Sequence, residues 1–269
     1  MEILSDSCKT KYPILLVHGT GFRDRKHINY WGRIPKYLQK HGAEIFYGRQ
    51  DSWGNIKNNA AMIRQSIKEY LNNSQSEKIN IIAHSKGGLE ARYLISTMNM
   101  SRFVASLTTI STPHHGSMAM ERFYDIPKFL YKTAAFFVNL YSRICGDKKP
   151  DFYRGSRQMS IRECRVFNRQ NPDYPGIFYQ SYSAKMRNSL SDLLYLFFYP
   201  IIKSLEGDND GLVSVDSAKW GKYKGCIYNE KWRGISHSDS VDAWRCNLAG
   251  FDIREVYKRI VNELKTAGF

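Results

Sequence analysis

Ser85 stands in the stretch INIIAHSKGG, where an apolar run delivers a hydroxyl into a pair of glycines and then into a helical pattern. A serine attacks a carbonyl at neutral pH only when a base takes its proton and donors await the developing negative charge. A sharp turn from strand to helix lifts the hydroxyl clear of the sheet, and because it brings two backbones close, the positions two before and two after the serine must be small. Ala83 and Gly87 meet that need, with alanine where glycine is usual. The same turn puts the hydroxyl at a helix N-terminus, where the Lys86 backbone N–H can face an oxyanion and the helix dipole favours negative charge. The Lys86 side chain is read as solvated.

A second oxyanion donor is expected from the loop after the first strand. The segment YPILLVHGTGF ends in His18-Gly19-Thr20-Gly21, and the Thr20 backbone N–H is the candidate, with the glycines allowing close approach of substrate. His18 is read as fixing this loop rather than as a base. Acid and base should lie downstream, in the order serine, aspartate or glutamate, histidine. His237, in GISHSDSVDAW, is the last histidine, whereas His114 and His115 come too early to have the acid before them and are read as structural. The segment EGDNDGLVSVDS offers Asp208, Asp210 and Asp216. Asp210 begins the turn into Gly211-Leu212-Val213 and is chosen as the carboxylate that holds the imidazole in its working tautomer.

The elements that must position these groups are legible as alternation. Strand-length apolar runs at 14–17, 79–83 and 104–110 are separated by helix-length amphipathic segments at about 29–40, 56–71 and 88–98, which predicts a mostly parallel sheet with helices on both faces. One domain is expected over 1–269, with a helical lid insertion at 117–176. Within it, FYDIPKFLYKTAAFFVNLYSRI (123–144) reads as one or two lid helices, an ordinary core helix being the competing reading. The apolar stretch at 193–202 could line the same cleft, a helical pattern is expected after His237, and the chain ends in a helical pattern over 253–264.

Composition bounds the function classes. The 269 residues carry a formal charge of +15, 42% hydrophobic and 14% aromatic residues. That charge favours anionic partners, but the basic residues are scattered rather than gathered in a stripe, so nucleic-acid binding is disfavoured. The opening residues show no basic segment followed by an apolar run, and the five cysteines are odd in number with no CxxC pair. Both point to a cytoplasmic protein with free thiols; secretion is the alternative.

Taken in order, YPILLVHGTGF, NYWGRIPKYLQKHGAEIF, NIIAHSKGGLEARYLIS with TTISTPHHGS, NDGLV and the triplet His237-Ser238-Asp239 resemble the bacterial triacylglycerol lipases, secreted true lipases of the α/β-hydrolase fold. The resemblance implies a Ser85, Asp210, His237 triad with Thr20 and Lys86 as oxyanion donors. It also implies a structural calcium held in part by Asp239, with Asp192 as upstream partner. No matching Gln follows to supply a further ligand, and a helix cap is the competing role for Asp239.

The expected chemistry is hydrolysis of a carboxylic ester through an acyl-enzyme, with no cofactor required for the reaction, acting on a lipid or other acyl ester and favoured at an anionic lipid interface. Short-chain esterase, thioesterase and acyltransferase activities fit the same triad. A lipid-binding protein without chemistry is the reading from another class.

Overall fold

The computed structural model describes residues 6–24, 29–231 and 233–269. Six strands form one sheet in the order β2-β1-β3-β4-β5-β6, where β1 is Ile14–Val17, β2 Ile45–Tyr47, β3 Ile79–His84, β4 Val104–Ile110, β5 Phe178–Ala184 and β6 Lys222–Ile227. Every neighbouring pair is parallel. Because side chains alternate along a strand, Ile14 and Leu16 pack to one face with α1 (Ile34–Lys40) and α9 (Ile253–Thr266), while Leu15 and Val17 pack to the other. There they meet α2 (Ile56–Asn72) and α3 (Lys86–Ser96). The α/β-hydrolase layout, a parallel sheet covered by helices on both faces, is therefore present.

The expected helix at 29–40 is shorter than its apolar spacing suggested. Gly32 adopts φ +52 and Pro35 sits in the first turn of α1, so the chain turns before it coils. A side chain at Gly32 could not fit either, since a Cβ would lie 2.1 Å from the Asp242 carbonyl oxygen.

Between β4 and β5 run α4 (Met118–Glu121), α5 (Lys128–Ile144), α6 (Phe152–Arg157) and α7 (Ile161–Gln170). Helix α5 begins directly after Pro127, which caps it. It buries Tyr131, Ala135 and Ser142 but leaves Phe129, Leu130, Phe136, Phe137 and Leu140 exposed. A short turn at Leu193–Tyr195 and then α8 (Phe198–Glu206) precede β6 and expose Leu193, Leu194 and Phe197. Among the described residues no helix is long and apolar enough to cross a membrane, and all five cysteines are unpaired.

Candidate active site

The order β2-β1-β3 means that the chain leaves β1 towards one edge and returns past it to β3. The crevice beyond the carboxyl ends of β1 and β3 is thus the sheet's switch point, where parallel α/β sheets bind ligands. Ser85 lies there at φ 54 and ψ −133, between the end of β3 and the start of α3. Backbone strain of about 1–3 kcal/mol is the usual cost of such a conformation outside glycine, and here the surroundings enforce it. Ser85 N–H bonds the Ile110 carbonyl at 3.0 Å. A Cβ on Gly87 would meet the Val17 and His18 carbonyl oxygens at 2.5 Å, and one on Gly88 would meet Thr112 Oγ1 at 2.2 Å. The glycine pair therefore lets α3 dock directly on β1 and the end of β4. Gly19 is equally confined, since its Cβ would fall 2.7 Å from that of Ser85.

Lys86 opens α3, and its side chain, expected to be solvated, is not. It is 1% exposed, donates from Nζ to the Gly54 carbonyl at 2.6 Å and pairs with the Glu90 carboxylate one turn on. Burial pushes the Glu90 carboxyl up, with Lys86 and Asn59 opposing. The i,i+4 spacing of Lys86 and Glu90 was a signal for this pair; its burial was not visible in the sequence. Thr20 is half-buried in the loop after β1. His18 beneath it holds its ring nitrogens 2.7 and 3.1 Å from the Gly19 and Gln50 carbonyl oxygens, while Gln50 Nε2 donates to the His18 carbonyl at 2.9 Å. One ring N–H of His18 and the Gln50 bond to its carbonyl tie the loop down.

Asp210 and His237 come together. His237 Nδ1 lies 2.8 Å from Asp210 Oδ2, and Oδ1 accepts from the Leu212 and Val213 N–H groups at 3.0 and 2.8 Å. The turn that made Asp210 conspicuous is thus also what aims its carboxylate, which is fully buried. Its rivals are elsewhere: Asp208 pairs with Lys185 and Lys203, whose bonds hold its carboxyl below the usual range, and Asp216 pairs with Lys219 at the surface. His114 is buried against Thr109 and Arg92, and burial drives its pKa well below the ordinary value.

His84, one residue before the nucleophile, belongs to the site but was not singled out. Its ring centroid is 4.5 Å from that of His237. Tyr30 O–H donates to Nδ1 at 2.7 Å, and Nε2–H donates to Ser240 Oγ at 2.8 Å. Ser240 passes the chain on to the His237 carbonyl at 2.7 Å, while the Tyr30 oxygen also takes a backbone hydrogen bond from Gly19. This directed chain needs a neutral His84, and burial, followed by the charge of His237, holds its pKa well below the ordinary range. The contacts span 54 and 156 residues, a separation that no local pattern discloses.

Asp239 lies two residues after His237 but caps no α-helix. The helical pattern expected there is a single 3-10 turn, Asp239–Val241, ended by Asp242 at φ 56, which Arg33 holds in place. Asp239 Oδ2 accepts from Arg233 at 2.7 Å and from the Ser236 N–H at 3.0 Å. Burial raises its pKa, the Ser236 N–H and Arg233 opposing. Asp192 Oδ2 accepts from Ser236 Oγ at 2.7 Å and from Trp244 Nε1 at 3.3 Å, and Oδ1 from the Leu194 N–H at 3.1 Å. These carboxylates face N–H and O–H donors, and among the described residues no three His, Cys, Asp or Glu side chains gather as a metal site. Carboxylate oxygens already taken up by N–H and O–H donors and by a guanidinium suit poorly an ion that must gather six or more oxygens.

Residues 13–185 match the family model described as palmitoyl protein thioesterase. The chain belongs to the palmitoyl protein thioesterase family. The match begins beside β1 and ends at β5, so it contains Ser85 and both oxyanion candidates but not Asp210 or His237. Triacylglycerol lipase 2 of Saccharomyces cerevisiae is 29% identical to this thioesterase-family chain over 256 residues, covering 90% of it and 75% of the yeast protein. A triacylglycerol lipase of Pseudarthrobacter phenanthrenivorans is 31% identical over 176 residues, 61% of this chain and 54% of its own length. The chain thus spans about half of that bacterial relative. Among solved structures, Staphylococcus hyicus lipase superposes with a TM-score of 0.72 at 19% identity, covering 96% of this chain and 98% of that one. Mature Bacillus licheniformis lipase gives 0.69 at 18%, covering 94% and 92%; at such identities the likeness speaks for the fold. This member of the thioesterase family is a carboxylic ester hydrolase of the α/β-hydrolase fold, related to the triacylglycerol lipases its motifs resemble.

Proposed function

We propose that the chain hydrolyses long-chain acyl esters of the acylglycerol class by acyl transfer through Ser85. The reading is supported by the buried His237–Asp210 bond of 2.8 Å, with the His237 ring 4.5 Å from that of His84, the residue before a serine held at positive φ. His237 takes the Ser85 proton as Oγ attacks the ester carbonyl, and the Thr20 and Lys86 N–H groups stabilise the oxyanion. As the tetrahedral intermediate collapses, His237 returns the proton to the leaving alcohol. It then activates the water that releases the fatty acid and restores Ser85.

Residues 117–176 act as the cap over this cleft in the proposal. Exposed Phe136, Phe137 and Leu140 on α5, together with Leu193, Leu194 and Phe197, offer apolar surface of the kind that soluble proteins rarely expose without a partner. With Lys128, Lys132 and Arg143 on α5 and a net charge of +15, an anionic lipid interface suits that surface. The unpaired cysteines favour a reducing, cytoplasmic location.

A p-nitrophenyl ester series from acetate to palmitate tests the substrate class. The rate constant kcat/KM is expected to rise by about tenfold or more from acetate to the long chains, because each added methylene is worth about 0.8 kcal/mol of burial at most and only part is realised. A flat or falling series contradicts the lipid reading. The family description favours a second reading, an acyl thioester substrate, for which palmitoyl thioesters cleaved faster than the matching oxyesters are the expected sign.

A further inference from the structure

We propose that the Arg233 guanidinium supplies, from within the chain, the positive charge that the lipase resemblance assigns to a calcium ion beside the histidine loop. The proposal rests on the reading of His237 as the base.

Asp192 and Asp239, 47 residues apart in sequence, meet on Ser236, the residue before His237. Ser236 O–H donates to Asp192 at 2.7 Å, its N–H donates to Asp239 at 3.0 Å, and the Asp239 N–H returns to Ser236 Oγ at 3.1 Å. Both carboxylates are only 7% exposed. Two buried carboxylates so close together are costly without a compensating charge, and a bound metal is one solution. Here the Arg233 side chain, 18% exposed, places its NH2 2.7 Å from Asp239 Oδ2. A guanidinium is weakly hydrated and directs its N–H groups at carboxylate oxygens, so it is suited to a half-dry site already crowded with donors. Calcium would have to displace Arg233 from Asp239 and compete with the N–H and O–H donors already on both carboxylates.

On the other side of the base, Tyr195 O–H lies 2.5 Å from Ser238 Oγ. His237 is therefore pinned through both neighbours, and the charge of Arg233 reaches it only through Asp239 and Ser236. Arg233 is a positioning residue. Removing it leaves the two carboxylates with no fixed cation among the described residues and frees the loop that aims the imidazole.

The test combines a chelator, calcium and two variants of the full chain. Wild-type protein should keep its ester hydrolysis rate in EGTA, and its Tm should not move on adding millimolar calcium. Arg233→Ala should lose about ten- to a hundredfold in kcat, the cost typical of removing a group that orients a catalytic ligand, with KM little changed, and Arg233→Lys should recover part of the loss. A wild-type enzyme that is inactivated or loses Tm in EGTA and is restored by calcium overturns the proposal, as does Arg233→Ala with wild-type kcat. The Tm readout needs no activity, so it decides the cation question even if His237 is not the base, and it stands on wild-type protein if Arg233→Ala fails to fold.

Discussion

Ser85→Ala is expected to lower kcat for ester hydrolysis by about a million-fold, since the members of a triad act as a unit and loss of the nucleophile removes the acyl-enzyme route altogether. What remains is the stabilisation offered by the oxyanion donors and binding, roughly a thousandfold or more over water. Folding should survive. Alanine keeps the Cβ that Gly19 packs against, keeps the N–H that bonds the Ile110 carbonyl, and carries the same positive-φ cost as serine. A Tm within a few degrees of wild type, together with the lost rate, is the expected pair of results. More than about a tenth of wild-type activity surviving in Ser85→Ala contradicts the assignment of Ser85.

Asp210→Asn is expected to cost about ten-thousandfold in kcat at nearly unchanged structure, and the hydrogen bonds around Asp210 explain why an isosteric change should be so damaging. Oδ1 is committed to two backbone donors, Leu212 N–H and Val213 N–H. An asparagine must keep its carbonyl oxygen there, which turns its NH2 towards His237 Nδ1. That nitrogen can then only accept, the ring proton moves to Nε2, and the imidazole can no longer take the Ser85 proton. KM should change little, because the loss falls on proton transfer rather than on ester binding. Steady-state kinetics on a single p-nitrophenyl ester checks both numbers, and a kcat loss of less than about tenfold would show that Asp210 is not the acid.

The parts of the site that could be read from sequence are those whose local pattern is itself the mechanism. A buried strand running into Ser85 and a glycine pair is recognisable because the turn geometry demands it. Asp210 stood out because the turn that aims its carboxylate needs Gly211, which adopts φ +101. The strands β5 and β6 were not foreseen. FYQSYSA buries Gln180 and Ser181 by bonding them to Thr108 and the Trp220 carbonyl, so its polarity hides a central strand. KYKGCI is an edge strand with its register shifted beside Gly225, where half-exposed residues dilute any apolar run. The buried Lys86 side chain, His84, Tyr30 and Arg233 escaped for a different reason. Lysine and arginine are ordinarily surface residues, histidine and tyrosine are found both inside and out, and most of the partners that fix them here lie on other elements. The α-helix expected after His237 failed because an apolar spacing of a few residues cannot show that Asp242 is held at positive φ by Arg33, a residue more than two hundred positions upstream.

The claim that a nucleophilic serine at the β3 to α3 turn performs the chemistry is tested most directly by covalent labelling. Wild-type protein incubated with a p-nitrophenyl alkylphosphonate should release p-nitrophenol, gain one phosphonyl group and lose ester hydrolysis in proportion. Peptide mass spectrometry should place that group on Ser85, and Ser85→Ala should take up none. A label on another residue, or full hydrolysis in protein phosphonylated at Ser85, would contradict the account.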